Sequence, residues 1–243
     1  TRTFLMADAW KAEVAEALSM AGLEAGAIQD VTTIRFPGIQ RATFRVALES
    51  GDTIKARRLE DETTARRLVD HRRGLPVAFV PTLGCHGRVV LEPWIDGQLL
   101  GNGAATETVV VEAAQLLAAL HATPVDGDAA RVADTRPWRT DAEAWLTTLA
   151  EAGAVDDTMA TRLRADLQRR DPGRAAAGLG HFDLCGENML RDHADRLRVF
   201  DNERIGPGPF GFDLARTWYR WDLPTADWQR FERRYAAATR RPA

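Results

Sequence analysis

Positions 181 to 190 read HFDLCGENML, and the apolar run LRVF a few residues later leads into Asp201. Asp183 is a carboxylate able to take a proton from a hydroxyl group. Asn188 and Asp201 offer an amide carbonyl and a carboxylate, hard oxygens of the kind Mg2+ takes when phosphate oxygens complete its octahedron. Residues 187–191 and 197–201 have strand character, and DHAD (192–195) between them suits a tight hairpin turn. Pairing two such strands brings Asn188, at the start of one, to Asp201, at the end of the other. Asp183 on the preceding loop would face the same point, and His181 would brace that loop by hydrogen bonding. The plain alternative is a polar hairpin whose side chains only cap and turn the backbone.

A second signal is the rarity of lysine. Among 32 basic residues only Lys11 and Lys55 are lysines. Arginine is a rigid planar fork and lysine a compact charge on a flexible stem, so a lone lysine inside the strand-like DTIKAR asks for a specific task. Arg57, two residues on, shares its strand face.

Other chemistries lose support. The chain has no G-x-x-x-x-G-K-[ST], no H-E-x-x-H and no G-x-G-x-x-G opening a helix. Its net charge of −3 gives no electrostatic case for nucleic acid or an anionic membrane. Cys85 and Cys185 lack metal-ligand spacing and suit a reducing compartment. Cys185 reads as a filler, since no base stands beside it in the sequence. No stretch is apolar enough for a membrane helix, and the N-terminal segment lacks a signal-peptide core. A cytoplasmic location is the expectation.

These residues need elements to position them. Residues 7–21 and 62–73 have helical patterns, the second ending at Gly74 and Pro76. TTIRFPGIQ, RATFRVALES and DTIKARRL read as strands, followed by strands at 79–83 and 88–93 with CHG as their turn. Beyond WIDG the texture becomes helical, at 106–121, 141–151 and 156–170. The Ala-rich patches at 128–133 and 175–177 read as filler, and GPGPFG (206–211) as a turn. Trp218, Tyr219, Trp221 and Trp228 are expected to pack a helix on the core. A sheet-rich part (1–95) and a helix-rich part (96–243), joined near residues 92–97, are the expected division.

The H-x-D-x-x-x-x-N spacing of His181, Asp183 and Asn188, with Asp201 beyond, resembles the catalytic loop and metal aspartate of protein-kinase-like phosphotransferases. It is most similar to the aminoglycoside phosphotransferase and choline kinase branch. LEPWIDGQLL (91–100) resembles that family's interlobe hinge, QLLAALHATPVDG (115–127) its helix ending in Leu-His, and FGFDLAR (210–216) its DLA segment. The resemblance implies a two-lobed α+β fold, with a small antiparallel-sheet lobe and a larger, mostly helical lobe. It implies a kinase that transfers a nucleotide γ-phosphoryl group to a hydroxyl on an antibiotic, sugar or amino alcohol.

By that resemblance Asp183 is the base or hydroxyl-orienting group, with His181 beside it, and Asn188 and Asp201 hold Mg2+. Lys55 contacts phosphate, Arg57 shares or takes over that contact, and Gly38 is the single glycine of the phosphate cover. The hinge backbone from Glu92 to Trp94 meets the base of ATP or GTP, and Asp213 hydrogen-bonds the catalytic loop. The expected partners are a nucleotide and a small hydroxyl acceptor, in a monomer or homodimer.

Three departures stand out. Cys185-Gly186-Glu187 replaces the usual His-Pro-Gly, no helix glutamate is evident for Lys55, and the tail beyond the DLA segment is short. They motivate the alternative of a weakly active, pseudokinase-like nucleotide-binding regulator. A metal-dependent phosphoester hydrolase would need more clustered His and Asp ligands than this chain groups together.

Overall fold

A computed structural model describes residues 2–36, 39–101, 105–124 and 132–239. Helix α1 (Arg2–Met20) precedes three antiparallel strands, β1 (Ala25–Phe36), β2 (Ile39–Leu48) and β3 (Thr53–Arg58). Helix α2 (Glu62–His71) starts at Asp61, whose carboxylate accepts the Thr64 N–H at 2.7 Å, an N-cap that satisfies an otherwise free donor. Strands β4 (Gly84–His86) and β5 (Val89–Pro93) complete a five-stranded sheet ordered β1-β2-β3-β5-β4.

Alternation along β3 sorts its side chains. Ile54 and Ala56 join Phe44, Val46 and Leu91 under Trp10, Val14 and Leu18 of α1. Arg58 lies on this buried face too, with its guanidinium 3.0 Å from Glu13 and 4.5 Å over the Trp10 ring. Lys55 and Arg57 therefore point to the opposite side.

One expected strand lies elsewhere. Residues 79–82 stay out of the hairpin, which Leu83 joins by donating to the Leu91 carbonyl at 2.7 Å; the third β4–β5 pair is His86 with Val89, and Gly87 takes the turn at φ 52°. Pro81 lacks an N–H and spoils a ladder there. The Val80 N–H instead donates to the Val199 carbonyl and the Val199 N–H to the Ala78 carbonyl, each at 2.9 Å, tying this segment to the later part of the chain.

The chain then runs through β6 (Gly97–Leu99), α3 (Glu107–His121), β7 (Val132–Asp134), α4 (Arg136–Glu151), α5 (Asp157–Arg170) and β8 (Arg174–Gly180). It ends with β9 (Met189–Asp192), β10 (Leu197–Val199), β11 (Gly206–Pro209), α6 (Phe210–Arg220) and α7 (Thr225–Thr239). Helix α3 carries Val110, Ala113, Leu117 and Leu120 into the second core, against Leu184, Met189, Val199 and Phe231. Truncating one such leucine costs about 2–5 kcal/mol. Helix α4 starts five residues before the expected Asp141, because Pro137 fits the first helical turn.

Two stretches read as filler or turn are strands. The Ala-rich 174–180 is β8, and Gly-Pro-Gly-Pro is β11, paired antiparallel from Gly206↔Gly180 to Pro209↔Ala177. Residues 132 and 133 of the other Ala-rich patch begin β7, and the rest of that patch lies outside the described residues. As an edge strand β11 tolerates prolines, which a central strand would not. The aromatic expectation also divides: Trp221 is buried and Trp228 stacks on Phe231 at 5.1 Å, whereas Trp218 and Tyr219 are exposed. Among the described residues no helix is long and apolar enough to cross a membrane.

Candidate active site

Strand β8 delivers the chain to His181, and a short turn (Gly186–Asn188) leads into β9. Between them Phe182 adopts φ 59°, a left-handed conformation costly for a bulky residue. The Asp213 carboxylate, fully buried in the first turn of α6, offsets that cost. It accepts the His181 N–H at 2.6 Å and the Phe182 N–H at 2.7 Å. His121, at the end of α3, meets the same carboxylate through Nε2 at 3.0 Å and the Tyr235 hydroxyl through Nδ1 at 2.6 Å. The Leu-His helix and the DLA segment thus meet beneath the loop. Phe182 also needs its neighbours to be small: a Cβ on Gly180 or Gly208 would stand 2.6 or 2.5 Å from its ring.

His181 braces the loop and does not reach out of it. It is fully buried; its Nδ1 accepts the Asp183 N–H at 3.2 Å and its Nε2 donates to Asn202 Oδ1 at 3.1 Å. Burial pushes its pKa below the ordinary histidine value, consistent with the neutral tautomer those two contacts require. These contacts match the bracing expected of His181, beside Asp183 in the loop.

Asp183 is engaged by groups absent from the sequence reading. Its Oδ1 receives Arg216 Nη2 at 2.9 Å and lies 3.3 Å from Arg220 Nε. Its main-chain carbonyl accepts from Asn188 Nδ2 at 2.8 Å, and the same amide nitrogen stands 3.4 Å from Asp183 Oδ2. Arg216 Nε also donates to the Phe182 carbonyl at 3.2 Å, and Arg220 Nη2 reaches Glu187 at 3.3 Å. Two arginines four apart on a helix share one face; that spacing after Asp213 was the available signal.

The β9–β10 hairpin forms as expected, with Met189 opposite Val199 and the Phe200 N–H donating to the Asn188 carbonyl at 3.0 Å. Asp201 follows at φ 58°, a conformation aspartate tolerates better than most residues. Its Oδ1 lies 2.6 Å from Arg57 Nη2, a contact without hydrogen-bond alignment, so this buried oxygen is left without a hydrogen bond. Burial alone would raise the Asp201 pKa, but the Arg57 and Lys55 charges hold it below the usual carboxylate value. Arg57 Nη1 meets Glu203 at 3.1 Å, and burial, which disfavours its charge, is outweighed by Glu92, Asp201 and Glu203.

Lys55 and Arg57 line a cleft of about 410 Å3, together with Glu92, Asp201 and Glu203, with which they form ion pairs. Ala42, Val80, Leu99, Leu190 and Phe200 make apolar walls. Glu92, whose backbone is expected at the hinge, lines this cleft. Its side chain is buried, 3.3 Å from Lys55 Nζ and in contact with Arg72 Nη1. The cross-strand pair Lys55↔Glu92 puts a carboxylate where the sequence offered no helix glutamate. Glu62, the nearest helical candidate, pairs with Arg66 on the surface instead.

Burial would raise the Glu92 pKa, yet Lys55, Arg72 and Arg57 together bring it down to about 2. Lys55 is itself lowered, because its desolvation and the repulsion of Arg57 exceed what a carboxylate shared among three cations returns. Trp94 lines the cleft, but its backbone N–H is committed to the Thr53 carbonyl at 3.1 Å and its ring packs under Arg45. Gly38 lies outside the described residues.

The unusual Cys185-Gly186-Glu187 has a steric cause at its centre. A Cβ on Gly186 would collide with the Gly101 carbonyl, so glycine lets the chain leaving β6 press on the loop. Cys185 is buried and its thiol is pushed up by desolvation, so it stays protonated as a small apolar filler.

The donor set suits Mg2+. Asn188 and Asp201 offer hard oxygens, and the Asp201 oxygen is held ionised beside Arg57. Among the described residues no three His, Cys, Asp or Glu side chains gather as a protein-only metal cage. Mg2+ bound largely through phosphate and water needs no such cage.

The model of the phosphotransferase enzyme family matches residues 20–243. A macrolide 2'-phosphotransferase from Brachybacterium faecium superposes with a TM-score of 0.67 at 19% identity, covering 93% of this chain and 82% of that one. A protein described as a putative fructosamine-3-kinase from Thermobifida fusca gives 0.65 at 19% identity, covering 94% and 84%. The choline kinase LicA from Streptococcus pneumoniae gives 0.63 at 15% identity, covering 93% and 80%. No curated protein sequence gives a significant match. The fold is therefore the kinase-like α+β arrangement expected from the sequence, with its antiparallel sheet first and most of its helices after.

Proposed function

This chain belongs to the phosphotransferase enzyme family, and from that premise we propose that it is a small-molecule kinase using ATP or GTP with Mg2+. In this reading residues 1–95 cover the nucleotide and residues 96–243 carry the catalytic loop and acceptor. The observation that carries it is the lining of the cleft, in which apolar side chains adjoin a charged cluster where Lys55, Arg57 and Asp201 meet. An apolar slot with a few convergent polar groups suits a flat base followed by phosphates.

Asp183 accepts a hydrogen bond from the acceptor hydroxyl and orients its oxygen toward the γ-phosphorus. A new O–P bond forms while the bond from the γ-phosphorus to the β,γ-bridging oxygen breaks. The electron pair leaves with the nucleoside diphosphate, and the hydroxyl proton passes to Asp183. Lys55 and Arg57 neutralise phosphate charge, and Glu92 holds Lys55 toward the cleft. Mg2+ would be held by Asn188 and Asp201 and would supply further neutralisation of the phosphate oxygens. His181 and Asp213 keep the loop in shape.

The test is diphosphate release from ATP and GTP, with and without Mg2+, across antibiotics, sugars and amino alcohols. Acceptor-dependent release that requires Mg2+ supports the reading; none with any acceptor opposes it. The Arg57–Asp201 ion pair favours a second reading, a weakly active nucleotide-binding regulator. That reading expects nucleotide binding without acceptor-stimulated turnover.

A further inference from the structure

The charge around Asp183 narrows the acceptor, on the premise of the phosphotransferase reading above. We propose that Arg216 and Arg220 form an anion seat beside Asp183, and that the acceptor is a hydroxyl compound bearing a carboxylate or phosphate near its reacting oxygen.

The two arginines project from consecutive turns of α6 onto one carboxylate oxygen, at 2.9 and 3.3 Å. A guanidinium offers five N–H donors in a planar fork suited to carboxylate and phosphate. Asp183 uses only part of that supply. Arg220 Nε is buried beside Asp183 Oδ1 and the Cys185 thiol, so a ligand would meet the outer nitrogens of the guanidinium. The side chains are 27% and 37% exposed for Arg216 and Arg220, so both are open to a ligand.

A polycationic acceptor needs unmatched carboxylates near the reacting hydroxyl. Here Asp183 is matched twice, and Glu187, on the same loop, already meets Arg220. A hydroxyl on Asp183 and an anionic group on the arginines would be linked through three hydrogen bonds, a reach of up to about 8–9 Å and less where the path folds back. That separation suits an anionic group a few bonds from the hydroxyl, as in a sugar acid, a sugar phosphate or a hydroxy acid.

The experiment uses the full chain with Mg2+ and nucleotide, and acceptors matched except for charge. One set is glucose, glucuronate, glucose 6-phosphate and glucosamine; another is glycerol, glycerate, glycerol phosphate and serinol. The proposal expects the highest kcat/KM for an anionic member, carboxylate and phosphate being separate arms. Arg220→Gln should raise the KM for that member by ~10- to 100-fold, the weight of a charge-assisted hydrogen bond. A neutral member should change far less.

Leading activity on a neutral or amine member, or no turnover of any anionic member, overturns the proposal. So does a fall in kcat of equal size for every acceptor, which would place Arg220 on the transferring phosphoryl group. Calorimetry of Mg-nucleotide binding separates the two levels. Binding without the anion preference removes the acceptor proposal alone, whereas no binding removes the kinase reading beneath it.

Discussion

Lys55 Nζ stands 3.3 Å from Glu92 Oε2, and the two residues face each other across adjacent antiparallel strands. The carboxylate that holds the lysine therefore comes from the sheet itself, and α2 contributes none. Removing that charge by Glu92→Gln leaves Lys55 and Arg72 as buried, uncompensated cations. The expected cost is roughly 3–5 kcal/mol, read from chemical denaturation. An unchanged denaturation midpoint would show that the pair holds nothing in place.

The same carboxylate sets an acid limit. The Glu92 pKa in the fold, about 2, lies below the unfolded value of 4.5. Its contribution is fully present above pH 4.5 and is lost as pH falls toward 2. Thermal melts of the wild type should drop through this window, and those of Glu92→Gln should drop less. Parallel curves would assign the acid sensitivity to other groups.

Asp183→Ala should lower turnover by ~10²–10⁴-fold, the range for a positioned proton acceptor. Nucleotide affinity should persist, because the charged cluster of the cleft is formed by Lys55, Arg57, Glu92, Asp201 and Glu203. Near-wild-type phosphoryl transfer by this variant would remove Asp183 from its role.

Asp201→Ala should abolish the Mg2+ dependence of nucleotide binding, measured by calorimetric titration with and without the metal. Arg57 keeps Glu203 as a partner, so the fold should survive. Equal Mg-nucleotide affinity in variant and wild type would count decisively against a metal at this carboxylate.

Gly186→Ala forces a methyl group into the Gly101 backbone. Overpacking of this kind costs about 1–3 kcal/mol, and the displaced loop carries Asp183 with it. Both stability and turnover should fall. A fully stable, fully active variant would mean that the two segments separate freely.

Much of this site was legible because its spacing is local. The 181–201 stretch folds as one loop and hairpin, so Asp183, Asn188 and Asp201 could be gathered without knowing the rest of the fold. Lys55 was legible from the rarity of lysine and the family resemblance, and strand alternation added Arg57. The Glu92 side chain went unread, because its partners depend on cross-strand register and no residue near it in sequence reveals Lys55 or Arg72. Arg216 and Arg220 went unread for a related reason: a helix face is visible in a sequence, but not what it faces. Strands β8 and β11, made mostly of alanine, glycine and proline, carry little strand propensity and exist because they pair with each other. Gly186 looked like an anomaly of composition until the Gly101 contact supplied its cause.

The two backbone ties described above bear on how the molecule can articulate. Val80 is bonded to Val199, while Leu83 is bonded to Leu91 in the first sheet. Trp94 is bonded to Thr53, whereas Gly97 already pairs with Asp192 beside the catalytic loop. The slack in these two crossings is confined to Pro81–Thr82 and Ile95–Asp96. Any rotation between the two parts is expected to turn at these short links, with Gly186 and Gly101 kept together by their close approach.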